Sequence, residues 1–301
     1  MRRQFLKRRR PGFTLVELLV VVLIITILAT IVLVAMFSAT ETARAARTRS
    51  MIARINDLLV PIWENYRTRR VPLLMTDSNP STAAATRLDA LRALMRMELP
   101  ERKTDVEDGS GIAGLARPAL SHAYQRQVIA RAGSFGDWSE ANQGSECLYL
   151  ILSRIQDGDT NGLEFFRETE IGDVDNDGMP EILDGWGKPI AFLRWAPGFV
   201  PANSAATAYQ DGTSPDPFDP LGVLGTPPKT FYLFPLVFSA GPDGEYAIST
   251  NSDPAGFQYS TTSPPNDPFT TTVTPTKFGT PDTTAGTFAD NIHNHLQSTG
   301  E

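Results

Sequence analysis

The sequence has little cysteine and histidine. Its 301 residues contain one cysteine, Cys147, which excludes an internal disulfide, so stability must come from packing, to which bound metal could add. The three histidines stand in no metal-ligand pattern, and the sequence contains no Gly-x-Ser-x-Gly, P-loop or His-Glu-x-x-His motif. We therefore expect a protein that is not an enzyme, although a membrane-anchored hydrolase remains a distant alternative.

Proline and charge are absent from one long N-terminal stretch. No proline occurs from Phe13 to Val60, and no charge from Leu18 to Phe37. Proline is the usual cause of a helix kink, so its absence gives no reason to expect a kink in this stretch. Residues 13–37 would form about 37 Å of helix, which is enough to cross a hydrocarbon core of about 30 Å. We predict a transmembrane helix over residues 13–37.

The same helix is expected to continue as an amphipathic segment over residues 38–70. Its apolar residues recur at spacings of three and four, and the first break signal is Pro61. The residues of this apolar face are Ile52, Ile55, Leu58, Leu59, Ile62 and Trp63. One helix of roughly 45 to 55 residues follows from this pattern.

Residues 1–12 form a basic leader with six lysines and arginines. Positive charge ahead of an apolar helix holds the N-terminus in the cytoplasm and sends the following chain across the membrane. The sequence therefore predicts a single-pass protein of the inner membrane, with its cytoplasmic N-terminus followed by an exported part.

Glu17 is an anomaly inside the apolar helix. A carboxylate in the bilayer costs a few kcal/mol and needs a partner. If the chain were cut between Gly12 and Phe13, the new ammonium of one subunit could pair with Glu17 of a neighbour. A secretory signal cut near Ser38 to Thr40 is an alternative, but its apolar core is normally only about 7 to 15 residues long. A plain one-pass anchor is another alternative, which would leave Glu17 unexplained.

The residues around the cut resemble the type IV prepilin signal, which is a glycine followed by Phe-Thr-Leu-Val-Glu and an apolar helix. Gly12 matches the cleavage position, Phe13 the first mature residue and Glu17 the fifth. The resemblance implies cleavage by a prepilin peptidase, N-methylation of Phe13 and assembly into a helical fibre.

The exported head, residues 71–301, is acidic. It carries thirty acidic and fourteen basic residues, a net charge of −16, whereas the whole chain has −7. Such a surface argues against nucleic acid as a partner and favours cations.

The order of elements in the head predicts an α+β fold of the pilin-like kind, in which a small antiparallel sheet packs on the long helix, with extra helices and long loops. Helices are expected over residues 83–97, 118–132 and 144–155, and none over 101–114. Strands are expected over residues 189–195, 231–239, 245–249 and 256–261. Long surface loops rich in proline, threonine and aspartate are expected over residues 203–229 and 263–287.

Two acidic loops have the spacing of an EF-hand loop, with oxygen ligands at positions 1, 3, 5 and 12 and a glycine at position 6. The first offers Asp157, Asp159, Asn161 and Glu168, and the second offers Asp173, Asp175, Asp177 and Asp184. Only residues 169–172 separate them, which leaves no room for paired EF-hand helices. We expect calcium loops in another scaffold; the alternative is solvated Asp-Gly turns.

Two further segments, residues 183–190 and 236–244, look like the Asp-x-Trp-Gly-x-Pro and Ser-Ala-Gly-Pro-Asp-Gly segments of the major pseudopilin of type II secretion. In that family a C-terminal loop binds calcium. The resemblance implies that Asp243 is the first of its aspartates and Asp290 the second, although the chain between them is longer than in the family.

The predicted function is that of a subunit which polymerises into a pseudopilus for type II protein secretion. Its expected partners are copies of itself, minor pseudopilins, a prepilin peptidase and an inner-membrane assembly platform, and its expected cofactor is structural calcium. The fibre would lie in the periplasm or outside the cell. The alternatives are a type IV pilus subunit for adhesion, motility or DNA uptake, and a membrane-anchored, calcium-dependent surface-binding protein that never polymerises.

Overall fold

The computed structural model describes most of the chain. The described residues are 13–74, 78–199, 210, 214–227, 229–248, 268–269, 278–282 and 287–296. Gly12 and the rest of the leader lie outside them. The chain divides into two compact units, residues 1–44 and 45–301, and the division falls within the first helix.

Helix α1 spans Leu15–Asn65 and contains 51 residues, which confirms the single long helix predicted from the sequence. It continues past Pro61 and ends at Asn65, five residues before the predicted boundary at residue 70. In the first unit its apolar side chains are exposed from Leu15 to Phe37, and none of its most apolar stretch is buried. This part is long and apolar enough to cross a membrane.

In the second unit, one face of α1 forms the wall of the main core. The buried side chains of this face include Met51, Ile52, Ile55, Leu58, Leu59 and Trp63. The Trp63 ring meets Phe218 and Phe234 edge to face, with centroid distances of 5.5 and 6.3 Å. The predicted amphipathic half of the helix is thus the element on which the second unit packs.

Four shorter helices follow: α2 (Pro80–Glu98), α3 (Lys103–Glu107), α4 (Ala119–Ala132) and α5 (Gln143–Leu152). The expected helices over residues 83–97, 118–132 and 144–155 are confirmed as α2, α4 and α5, with ends that differ by up to three residues. The expectation of no helix over residues 101–114 is wrong, since α3 lies there. Its charges are paired: Asp105 accepts a hydrogen bond from the Glu101 amide at 3.1 Å and lies 2.8 Å from Arg194.

Seven short strands form three antiparallel groups: β1 (Gln156–Asp157) with β2 (Thr160–Asn161), β3 (Ile171–Gly172) with β4 (Glu181–Ile182), and the three-stranded sheet β5 (Ala191–Leu193), β6 (Leu236–Ser239) and β7 (Ile292–His293). In the sheet, Phe192 pairs with Val237, and Phe238 pairs with His293. The predicted α+β fold of the pilin-like kind is confirmed.

The C-terminal edge of the sheet differs from the sequence expectation. No strand was expected there, but His293 lies in β7. The rings of His293 and His295 are both buried against Phe199, with centroid distances of 4.9 and 5.1 Å. Asn294 ties the tail to the rest of the unit, because it donates to Asn56 of α1 and accepts from the Val237 amide, each at 3.0 Å.

Two other strand expectations have different outcomes. Within the described part of residues 245–249 there is no strand, only an isolated bridge from Ile248 to Pro281. The expected strand over residues 256–261 lies outside the described residues, as does most of the expected loop over 263–287.

Helix α5 separates two cores and is buried from Ser145 to Leu152. Leu148, Ile151 and Leu152 belong to the main core with α1 and the sheet. Cys147 and Leu150 face a smaller core, formed with Val106, Tyr124, Val128, Trp138 and Met179. A helix that is apolar on all sides must be buried on all sides, and this position places its first turn, with Glu146, inside the molecule.

The expected surface loop over residues 203–229 is partly wrong. Its described residues include the buried side chains of Phe218, Asp216 and Asp219. Asp216 lies 2.6 Å from Arg92, and both side chains are buried. This pairing anchors a loop whose composition indicates only a solvated segment.

A buried guanidinium joins the end of β5 to the chain after α2. Arg194, which is 0% exposed, donates to the Leu99 carbonyl at 2.7 Å and to Asp105 at 2.8 Å, and lies 3.3 Å from Glu101. Glu101 also accepts from the Arg194 amide at 2.7 Å. The two carboxylates therefore share one cation, with backbone groups completing the hydrogen bonds.

We predict that Arg194→Met destabilises the second unit by about 3 to 5 kcal/mol, because it removes the cation nearest to both buried carboxylates and leaves them only the longer contacts to Arg102 at 3.4 Å and Arg96 at 4.0 Å. The triple variant Arg194→Met, Glu101→Gln, Asp105→Asn should recover part of this loss. Urea unfolding of the full chain in mild detergent, followed by tryptophan fluorescence, measures it, since all four tryptophans follow residue 44. An unchanged midpoint for Arg194→Met would contradict the prediction.

Candidate functional site

The N-terminal candidate site begins with a capping box. The Glu17 amide donates to Thr14 Oγ1 at 3.2 Å, and the Thr14 amide donates to Glu17 Oε2 at 2.9 Å. The Thr14 hydroxyl also donates to this oxygen at 2.8 Å. Thr-x-x-Glu is the sequence pattern of such a cap, and it explains why α1 begins at Leu15.

Glu17 is therefore held within its own chain, which the sequence interpretation did not foresee. Both recorded bonds reach Oε2, and no donor among the described residues reaches Oε1. Phe13, just before the cap, is 73% exposed. The pairing of Glu17 with the amine of a neighbour remains a prediction, and Gly12 lies outside the described residues.

The second acidic loop, residues 173–178, lies between β3 and β4. Oxygens of Asp173, Asp175 and Asp177 lie within 4.8 Å of one another. Gly178 has a φ of 92°, and a Cβ there would meet the Arg131 carbonyl of α4 at 2.8 Å. The turn thus requires glycine for its conformation and for its close approach to α4.

A second group shares Asp175 with this loop. Oxygens of Glu146, Asp175 and Glu181 also lie within 4.8 Å of one another, and we name these three residues the carboxylate triad. Glu146 and Glu181 are each 0% exposed. Glu146 comes from the first turn of α5 and Glu181 from β4, so the triad joins two elements to the acidic loop.

Neutral groups hold the triad. Trp138 Nε1 donates to Glu146 Oε2 at 2.5 Å, and the Ser139 hydroxyl donates to Asp175 Oδ2 at 2.5 Å. Glu181 accepts from Asn142 and from the Val174 amide, each at 2.9 Å. None of the ion pairs among the described residues involves a member of the triad.

Burial and mutual repulsion raise the pKa values of Glu146 and Glu181. Burial, followed by the neighbouring acids, raises the pKa of Glu146 to about 9, although the Trp138 hydrogen bond opposes this. Burial raises the pKa of Glu181 to about 7, against the hydrogen bonds from Val174 and Asn142. The triad thus disfavours its own full ionisation, which a divalent cation would relieve.

Asp184, expected at position 12 of the second loop, has a different role. Its Oδ1 accepts from the amides of Trp186 and Lys188 at 2.8 and 2.9 Å, and its Oδ2 accepts from the Ser239 hydroxyl at 2.6 Å. These bonds join the two segments that look like pseudopilin segments, residues 183–190 and 236–244. The aspartate closes a turn and ties it to β6, so its oxygens are already engaged.

The structure does not bring the first acidic loop together as a cluster among the described residues. Asp157 is the last residue of β1, and Asp159 lies in the β1–β2 turn. Gly158, between them, has a φ of 61°. Asn161 caps the following helical turn by accepting from the Leu163 amide at 3.0 Å. Glu168 begins a separate helical turn, Glu168–Glu170. These residues therefore form a β-hairpin and a helix cap.

Asp243 lies in the turn of residues 241–244. Asp290 lies close to this turn although it is distant in sequence. Asp243 accepts from the Glu245 amide at 2.9 Å. A Cβ on Gly241 would lie 2.6 Å from the Asp290 carbonyl oxygen, and Asp290 Oδ1 is buried without a hydrogen-bond partner. The long insertion therefore returns to the turn, while metal binding there remains a prediction.

The remaining titratable groups do not form a catalytic arrangement among the described residues. Burial lowers the pKa of His293 to about 4, and burial, with the neighbouring His293, lowers that of His295 to about 3. Burial raises the pKa of the Cys147 thiol well above its usual range. These groups are packing elements at neutral pH, and the absence of enzymatic activity stays a prediction.

Sequence reasoning missed Glu146 and Glu181. Glu181 stands at position 9 of the second loop, where EF-hands often bind through water, so its spacing was a usable signal. Glu146 had none, because it precedes the loop and reaches it only through the packing of α5.

Comparison with known families supports the N-terminal interpretation. Residues 7–33 match the model of the prokaryotic N-terminal methylation motif. Together with the long apolar helix and the small antiparallel sheet, this match supports a type IV pilin-like protein. Searches of curated proteins and of solved structures found no match.

We predict that Asp184 is structural. Asp184→Ala should lower stability by about 1 to 3 kcal/mol, because it leaves two half-buried amides and the buried Ser239 hydroxyl without their acceptor. Asp184→Asn should keep most of the stability, since its oxygen can still accept from both amides. Neither variant should change the response of the thermal midpoint to calcium, measured by circular dichroism. A calcium response lost in Asp184→Asn would restore the aspartate as a ligand.

Proposed function

We propose that this protein is a subunit that polymerises into a pseudopilus for type II protein secretion. The observation that supports polymerisation is the exposed apolar surface of α1 from Leu15 to Phe37, together with the methylation motif over residues 7–33. No part of the described chain covers this surface. Lipid covers it before assembly, and the helices of neighbouring subunits cover it in the fibre.

Glu17 supplies the pairing that sets the position of one subunit against the next. Before assembly, the capping box satisfies Oε2 with two donors of Thr14. The free oxygen Oε1 remains for the N-terminal ammonium of a neighbour, after cleavage has exposed it at Phe13. Neutralising both charges in an apolar fibre core favours the assembled state.

The secretion role rests on the resemblance of two segments to the major pseudopilin. Their connection through Asp184 and Ser239 supports a shared local structure. A type IV pilus subunit would use the same α1. Deletion of the gene in its host separates the two: a secretion subunit leaves exported enzymes in the periplasm, whereas a pilus subunit leaves secretion intact and abolishes adhesion, motility or DNA uptake.

We predict processing at Gly12-Phe13. The intact mass of the membrane-bound chain, produced with a prepilin peptidase, should correspond to a chain that begins with N-methyl-Phe13. Gly12→Trp should remain uncut, because a bulky residue blocks the cleavage position, while Gly12→Ala should be partly cut. A mature N-terminus near Thr40 would overturn the pilin-like function.

We predict that Glu17→Val is inserted and cut but assembles poorly, because the ammonium of the neighbour then lacks its partner. Ala29→Cys provides the readout through disulfide cross-links between helices, since the native Cys147 is buried. Thr14→Val is the matched control: it removes the local cap hydroxyl but keeps the carboxylate, so its cross-links should persist. Equal cross-linking in Glu17→Val and wild type would refute the pairing.

A further inference from the structure

The carboxylate triad of Glu146, Asp175 and Glu181 has no basic partner among the described residues. Several other buried acids have one: Glu101 and Asp105 share Arg194, and Asp216 pairs with Arg92. The triad, with Asp173 and Asp177 beside it, has only neutral donors. Five carboxylates thus lie close together without a cation from the described part of the chain.

We propose that the triad and the acidic loop bind one calcium ion, with Glu146 of α5 as a ligand. The ligand class follows from the donors: all are carboxylate oxygens, and no histidine or cysteine joins either group. Hard cations such as calcium take oxygen ligands, whereas zinc prefers nitrogen and sulfur.

An unpartnered buried atom points to this ligand independently of the acidic composition. Glu146 is 0% exposed, and its Oε1 accepts no hydrogen bond among the described residues. Asp175 Oδ1, in the same triad, is likewise buried without a partner. Buried polar atoms are normally satisfied, so two such oxygens in one triad indicate a missing positive partner.

The spacing of the oxygens within each group fits one ion, and the two groups share Asp175. Calcium binds its ligands at about 2.3 to 2.6 Å, so two ligand oxygens of one ion lie at most about 5 Å apart. The oxygens of each group lie within 4.8 Å of one another. Asp175 belongs to both groups, which places the ion beside it.

The arrangement departs from an EF-hand in a specific way. Asp173, Asp175, Asp177 and Glu181 occupy loop positions 1, 3, 5 and 9. Position 12 is Asp184, whose oxygens close a turn and bind Ser239. Glu146 therefore takes the place of the twelfth residue from another helix. This substitution lets a single loop work without the paired helices of an EF-hand.

Binding would connect four elements of the second unit. Glu146 belongs to α5, Glu181 to β4, and the acidic loop packs on the end of α4 at Gly178. The ion would fix the loop against the smaller core, whose Trp138 donates to Glu146. Calcium would then stabilise the folded second unit by binding it in preference to the unfolded chain.

The first test measures binding to the full-length chain in mild detergent after removal of metal with a chelator. Calorimetric titration should show a bound calcium ion whose affinity depends on Glu146, and the thermal midpoint should rise by roughly 5 to 10 °C at a hundredfold excess over Kd. Magnesium should bind more weakly, because it demands an octahedral geometry. Superimposed melting curves in calcium and in chelator would overturn the proposal.

The second test locates the ion. Terbium, which substitutes for calcium at oxygen sites, should luminesce when tryptophan is excited, because Trp138 lies 2.5 Å from Glu146 Oε2. Calcium should displace this signal, and Trp138→Phe should abolish most of it. A signal that survives Trp138→Phe unchanged would place the ion elsewhere and refute this site.

The variants separate a ligand from a structural residue. Glu146→Gln keeps an acceptor for Trp138 and removes one of the five neighbouring carboxyl groups, so its midpoint in chelator should stay or rise, while calcium affinity falls at least tenfold. Glu181→Gln should lose affinity in the same way. Asp159→Asn, in the β1–β2 turn, is the matched control and should keep wild-type affinity. Wild-type affinity in both glutamine variants, or affinity lost only in the control, would refute the assignment.

Discussion

Helix α1 is continuous, and the packing of the second unit is built on one of its faces. One helix without an internal break must satisfy two environments, since its side chains are exposed from Leu15 to Phe37 and one face is buried from Met51 to Trp63. The first stretch is apolar on all sides, as lipid or neighbouring helices require. The second has a single apolar face, against which the sheet and the C-terminal tail pack through Asn294.

The buried carboxylates of the acidic head are stabilised in two different ways. Where a basic side chain is near, it is buried with its partner, as Arg194 is with Glu101 and Asp105. The triad lacks such a residue, and its glutamates have raised pKa values instead. Net charge alone therefore says little about stability, because the cost of a buried carboxylate depends on whether a cation stands beside it.

Local patterns predicted the helices well and the sheet only in part. Helices α2, α4 and α5 follow from periodicity and from Pro118 ahead of α4, because their hydrogen bonds join residues four apart. Helix α3 was missed, since its charges are compensated by Arg194, which lies far along the chain. Strand β7 was missed for the same reason: two histidines and asparagines become core residues only beside Phe199 and β6.

The cap and the apolar helix of the N-terminal site follow from the amino-acid sequence alone, because each of these features is local. The cap joins Thr14 to Glu17, and the apolar length of the helix depends on no other part of the chain. The acidic loops were identified by spacing, but spacing could not tell which oxygens remain free. Only tertiary packing placed Asp184 against Ser239 and brought Glu146 to Asp175. Which oxygens could reach one ion depends on this packing, because an ion binds oxygens by their distance in space, and distant elements supply them only after α5 is buried.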